Sequence, residues 1–248
     1  MDDRLLAETV TITGADGAEL EAYAARRLDP APRGGVVVIH HMPGYDEATK
    51  EMVRRFAAEG YNAVCPNLYT REAPGAAPDD AAAAARALGG VPDARLVGDV
   101  AGAAAYLRGL ENSNGRVGVI GHCSGGRQAF LSGCSLDLEA AVDCYGAFVT
   151  ESVPEGVPVR VGPIGHLAKD LSCPLLGLFG AEDKHPDPQA TAQLEELLKE
   201  HGKEYEFHTF PDAGHAFFAV DRPAYRPQAA TEGWKLVLDF FGRHLATA

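Results

Sequence analysis

Val117-Gly118-Val119-Ile120-Gly121-His122-Cys123-Ser124-Gly125-Gly126-Arg127 is the stretch that decides the fold. A short apolar run enters a glycine-bracketed turn, and a helix-like pattern leaves it. This spacing reads as a strand, a tight turn and a helix start, with a nucleophile at the centre of G-x-Nuc-x-G. Such a turn forces strained dihedrals on its central residue and leaves no room for side chains two positions to either side. Gly121 and Gly125 meet that requirement. Cys123 holds the centre, lifted above the C-terminal edge of a sheet at a helix N-terminus, where the helix dipole favours an anion. Ser124 does not hold it, because an elbow centred there would need a small residue at His122. A phosphate-binding loop fits poorly, since neither G-x-G-x-x-G nor G-K-S/T is present.

Outward from this turn, strand-length apolar runs alternate with segments of helical period, the pattern of a mostly parallel sheet covered by helices. Strands are predicted at Gly35–His40, Asn62–Cys65, Val117–Ile120, Ala140–Cys144, Leu175–Phe179 and Glu204–Phe210. Helices are predicted at Asp46–Glu59, Asp93–Leu110, Gly125–Gly133, Gln189–His201 and Thr231–Leu245. Residues 7–27 alternate around Gly14-Ala15-Asp16-Gly17 and read as a leading antiparallel hairpin. The Ala/Pro/Gly-rich stretch 74–91 reads as an excursion between a strand and the next helix, and 150–170 as a surface loop. The expected fold is α/β, a mostly parallel sheet of about eight strands with helices on both faces. Apolar strands that need one sheet lie on both sides of each excursion, so residues 1–248 are expected to form a single domain.

The composition narrows the function. Twenty-two basic against 35 acidic residues give a formal charge of −13, and no basic cluster offers a phosphate backbone its counterions, so nucleic acid is not an expected partner. No run of about 18 apolar residues predicts a membrane span. Met1-Asp2-Asp3-Arg4 has no secretory pattern, and a cytoplasmic location is expected. The five cysteines are odd in number and form no C-x-x-C pair, so a disulfide framework is not expected. Cys65, Cys144 and Cys173 read as buried apolar residues.

A cysteine nucleophile of this kind needs a base, and the base needs an orienting acid. In α/β-hydrolase order the acid follows a later strand and the histidine follows the last one. Asp183 comes directly after the Leu175–Phe179 strand, with Glu182 and Asp187 as fallback acids. His215 lies in the loop after Glu204–Phe210. His166, His185, His201, His208 and His244 read as surface or loop residues. The Ser124 N–H is the expected first donor to an oxyanion. The loop after the Gly35–His40 strand supplies the second from Met42, because Pro43 has no N–H.

Gly121-His122-Cys123-Ser124-Gly125-Gly126, Phe179-Gly180 leading to Asp183, Gly214-His215-Ala216-Phe217 and Cys65-Pro66-Asn67-Leu68-Tyr69-Thr70-Arg71 together resemble the dienelactone hydrolase (carboxymethylenebutenolidase) family, over residues of about 18 to 245. The resemblance implies an α/β-hydrolase fold, a Cys123-His215-Asp183 triad, no cofactor or metal, and Tyr145 in the substrate pocket. It also implies that Arg71 grips the carboxylate of an anionic lactone, which suits a guanidinium's fork of donors. Two departures stand out. His41 replaces the Glu that dienelactone-cleaving members carry, and Ala219 replaces their second substrate arginine, with Arg222 three residues further on.

The leading expectation is a cysteine hydrolase of a small, carboxylate-bearing lactone or ester, acting as a monomer or homodimer through an acyl-enzyme. The competing expectation is a non-catalytic ligand-binding or redox-sensing protein on the same scaffold, with Cys123 as its reactive thiol. A metal hydrolase built on His40 and His41 is disfavoured, because neighbouring strand residues point to opposite faces and no third ligand pattern appears.

Overall fold

The structure is a computed structural model that describes residues 4–157 and 159–246. The chain opens with β1 (Leu5–Thr13) and β2 (Glu19–Arg27), an antiparallel hairpin. Then follow β3 (Arg33–Ile39), β4 (Asn62–Pro66), β5 (Ser113–His122), β6 (Ala140–Cys144), β7 (Leu175–Gly180) and β8 (Tyr205–Phe210). Among the described residues they form one eight-stranded sheet of order β1-β2-β4-β3-β5-β6-β7-β8. β2 meets β4 antiparallel, and every neighbouring pair from β4 to β8 is parallel. The mostly parallel sheet expected from the apolar runs is therefore present.

Six helices connect the strands among the described residues: α1 (Glu47–Ala58), α2 (Pro78–Ala87), α3 (Asp93–Arg108), α4 (Ser124–Ser135), α5 (Pro188–Glu200) and α6 (Pro227–Leu245). Side chains alternate across a strand, so each strand feeds two cores. Val37 and Ile39 of β3 join Leu96 and Val100 of α3, Phe130 of α4 and Leu194 of α5. Val36 and Val38 turn the other way, onto Phe56 of α1 and Val237 and Phe241 of α6. Both faces of the sheet are thus covered by helices, which is why the parallel strands read as nearly unbroken apolar runs.

Phe56 anchors the second core, fully buried with its ring 5.4 Å from that of Trp234 and 5.8 Å from that of Phe241. Phe56→Ala is expected to lower unfolding free energy by about 3–5 kcal/mol in chemical denaturation. A loss below about 1 kcal/mol would mean that the aromatic cluster closes over the hole.

Two stretches differ from expectation. Residues 74–91 are more than an excursion, because they contain α2. Pro78 occupies its first turn, Asp79 and Asp80 suit its N-terminus, and Arg86 its last turn. Its buried residues are alanines at 81, 82 and 85, so it packs on the sheet without a large apolar stripe. Residues 150–170 end in a 3-10 turn, Gly165–Asp170, whose Ala168 is fully buried.

The chain runs from β3 to β4 on one side and then returns to place β5 on the other. That reversal opens a crevice outside the carboxyl ends of β3 and β5, the place where open α/β sheets bind ligands.

Candidate active site

Cys123 sits in that crevice, directly after β5 and one residue before α4. Its φ of 57° and ψ of −122° are strained for a side-chain-bearing residue. The strain is imposed by contact. A Cβ on Gly121 would overlap the backbone of Gly125, and a Cβ on Gly125 would overlap the Ile39 carbonyl. Only glycines let the strand, the turn and the helix approach this closely.

Asp183 follows β7, with its carboxylate buried. Its Oδ2 lies 2.9 Å from Nδ1 of His215, and its Oδ1 accepts the His185 N–H at 2.9 Å. Both oxygens are therefore committed, which holds the carboxylate and the imidazole in one orientation. His215 and Cys123 line the same cavity, and the Cys123 side chain acts with Asp183 on the imidazole's pKa. Burial alone would lower the His215 pKa. The hydrogen bond to Asp183 and the Cys123 side chain, with their charges, outweigh burial and push it up to about 10. Asp187, a fallback acid, instead caps α5 by accepting the Ala190 N–H at 2.7 Å.

Tyr145 follows β6, also with positive φ. Its ring meets the His215 and Phe217 rings edge-on, with centroids 5.1 Å apart in each case. Met42, Cys123 and Ser124 line one cavity, and among the described residues neither the Met42 nor the Ser124 N–H has an acceptor. His40 fixes the Met42 loop. Its Nε2 accepts the Leu68 N–H at 3.1 Å, and its Nδ1 lies 2.9 Å from the His41 carbonyl. Burial lowers its pKa to about 4, so the ring is neutral and spends both nitrogens on the backbone. That leaves His40 no lone pair for a metal, and the described residues contain no group of three or more His, Cys, Asp and Glu able to hold one.

A cavity of about 240 Å³ opens onto Cys123, bounded by His41, Arg55, Tyr145, His215, Phe218 and Arg222. His41 and Cys123 line the same cavity. Burial, with the nearby Arg222 charge, lowers the His41 pKa. Its Nε2 lies 3.4 Å from Asp46 Oδ2. Arg222 reaches the cavity wall.

Arg71 does not, which corrects its expected role on a substrate carboxylate. Its guanidinium grips Asp99 through two hydrogen bonds of 2.7 and 2.9 Å, and donates to the Ala15 carbonyl. Asp99 is fully buried on α3 and also accepts the Ala15 N–H. Arg71 thus neutralises a buried carboxylate and pins the β1–β2 turn. Arg71→Ala is expected to cost about 3–5 kcal/mol of stability, because it strands that charge, while leaving KM for an anionic ester unchanged. Denaturant melts and steady-state kinetics on the same variant check both halves.

The residues missed in the sequence are Arg55, Trp234 and His122. Arg55 stacks 3.9 Å over the Trp234 ring at the cavity wall. Its position three after Met52 on α1 was the available signal. His122 is buried, and burial pushes its pKa down to about 3. It lines the cavity as a neutral ring, edge-on to Phe218 at 5.3 Å.

The sequence profile of the dienelactone hydrolase family matches residues 20–245. A protein of Methylorubrum extorquens, provisionally named a carboxymethylenebutenolidase, is 32% identical over 97% of this chain and 82% of its own. A like-named protein of Escherichia coli is 31% identical over 98% of this chain and 89% of its own. The crystal structure of a provisionally named dienelactone hydrolase from Klebsiella pneumoniae superposes with a TM-score of 0.85 at 28% identity. That match covers 97% of this chain and all of the other.

Proposed function

Because this chain belongs to the dienelactone hydrolase family and is a hydrolase of that family, we propose that it cleaves a small, carboxylate-bearing lactone or ester through Cys123, His215 and Asp183. The observation that carries the proposal is the His215 imidazole, hydrogen-bonded to the buried Asp183 carboxylate and lining the same cavity as Cys123.

In this reading the Cys123 thiol passes its proton to Nε2 of His215, and the thiolate sulfur attacks the carbonyl carbon while the C=O electron pair moves onto oxygen. The N–H groups of Met42 and Ser124 receive that oxyanion. Collapse expels the alcohol oxygen, which takes the proton from Nε2 of His215, and leaves a thioester on Cys123. Water then attacks the thioester and gives its proton to His215. The second collapse releases the carboxylic acid and restores the thiol. Asp183 keeps the imidazole in the required tautomer and stabilises it when protonated. His41, in place of a carboxylate, adds no negative charge beside the thiol. With Arg71 committed to Asp99, Arg222 is the cation proposed to meet the substrate carboxylate, and the reaction runs in the cytoplasm without cofactor.

The test compares cis-dienelactone with a neutral activated ester. The expected result is turnover of both by the wild type. Arg222→Ala should raise KM for the anionic lactone about tenfold and spare the neutral ester. Equal effects on both substrates would remove Arg222 from the reading.

A further inference from the structure

A second cavity, of about 190 Å³, shares only Met42 and Cys123 with the first. Its wall is made by Tyr69, Val91, Phe148 and Val161 among others, and Ser124 also lines it. The charged residue on that wall, Arg127, has both terminal nitrogens engaged by protein partners, and its buried Nε has none among the described residues. Its guanidinium is buried, held by Asp93 at 2.8 and 2.9 Å, and donates to the Gly162 carbonyl at 2.9 Å. The lobe therefore presents an apolar surface. It is also built rather than incidental. Phe148 adopts a φ of 65°, a strained conformation for an aromatic residue, and its ring rests 5.6 Å from that of His185, beside Asp183. The Arg160 N–H donates to the Gly89 carbonyl at 2.8 Å, tying the valine-bearing segment to the loop before α3.

The two lobes are chemically unequal. His215, His41, Arg55 and Arg222 line the first and not the second, together with the Glu51 and Asp221 carboxylates. The leaving oxygen must take its proton from His215, so the leaving part of a substrate has to extend into the first lobe. With the carbonyl carbon at Cys123 and its oxygen at the Met42 and Ser124 N–H groups, the second lobe, which opens on the same three residues, is the space left for the remaining substituent. That substituent is the acyl group.

Resting on the Cys123 reading above, we infer that the preferred substrate is an open-chain ester whose apolar acyl group fills the second lobe, while its leaving part extends into the charged first lobe toward Arg222. An apolar cavity of about 150 Å³ suffices for benzene, so the second lobe admits a branched or aryl acyl group. A compact lactone keeps both halves in one ring and leaves this lobe unfilled.

The experiment uses 4-nitrophenyl acetate, butyrate and benzoate with the wild type, Val161→Trp, which narrows the lobe, and Phe148→Ala, which widens it. The wild type is expected to favour butyrate and benzoate over acetate in kcat/KM. Val161→Trp should lower the butyrate-to-acetate ratio at least about tenfold, the scale on which apolar pockets discriminate. Phe148→Ala should raise the benzoate-to-acetate ratio. If Val161→Trp does not fold, the widening variant decides alone. Ratios unmoved in folded variants, with all hydrolysis still lost in Cys123→Ala, would overturn the acyl lobe and leave the Cys123 reading standing. Hydrolysis that survives Cys123→Ala would overturn both.

Discussion

Cys123→Ala is expected to keep its fold and to lose hydrolysis of activated esters by about ten-thousand-fold or more. The substitution removes only Sγ, and Ala still fits the turn that Gly121 and Gly125 make possible. What it removes is the atom that carries the acyl group, so no other group in the cavity stands in the same place relative to His215 and the Met42 and Ser124 N–H groups. The residual rate measures what binding and those two donors achieve with water alone. Circular dichroism and kcat/KM on one preparation check the prediction. A loss below about tenfold would mean that another group attacks the carbonyl.

Asp183→Asn is the second large effect. The amide keeps the size of the side chain but can favour the wrong imidazole tautomer, and kcat is expected to fall about ten-thousand-fold, as in other triads. Its pH dependence is the sharper readout. In the wild type, burial opposes the charged imidazole, and the Asp183 hydrogen bond and the Cys123 side chain overcome it, holding the His215 pKa near 10. Below that pH the ring carries the proton that the leaving oxygen needs. As pH rises through about 10 the proton is lost, and kcat/KM should fall with it. Removing the Asp183 charge takes away the strongest of the interactions that raise this pKa, so the alkaline limb should move to lower pH. An alkaline limb that stays in place would separate His215 from Asp183 in function.

The three residues of the proposed triad were readable as candidates in the sequence because each sits at a position that topology dictates. Cys123 needs glycines two residues to either side, and Asp183 and His215 must each follow a strand of a parallel sheet. Those requirements are local and leave marks in the chain. The strands were legible for a related reason, since burial on both faces demands apolar runs such as Val36-Val37-Val38-Ile39. α2 was not, because its buried positions are alanines, which give helix propensity without a visible stripe. Only the proline at its start and the acid-to-base order of its charges marked it. The role of Arg71 was misjudged because its partner is fixed by tertiary packing. Asp99, 28 residues away, lies among Leu96, Val100 and Ala103 on the buried face of α3. A carboxylate on an apolar stripe requires a cation, and that requirement was the sign that Arg71 was already occupied. The second lobe was invisible for the same reason, since Tyr69, Val91, Phe148 and Val161 meet only through the fold.

The central claim is that Cys123 becomes acylated. It is tested most directly by mixing the protein with excess 4-nitrophenyl butyrate, quenching in acid within the burst, and mapping the adduct by peptide mass spectrometry. One butyryl group per chain is expected, on Cys123, formed as fast as the nitrophenol burst and absent from Cys123→Ala. Turnover with no acyl group on Cys123, or an adduct on another residue that forms at the burst rate, would contradict that claim.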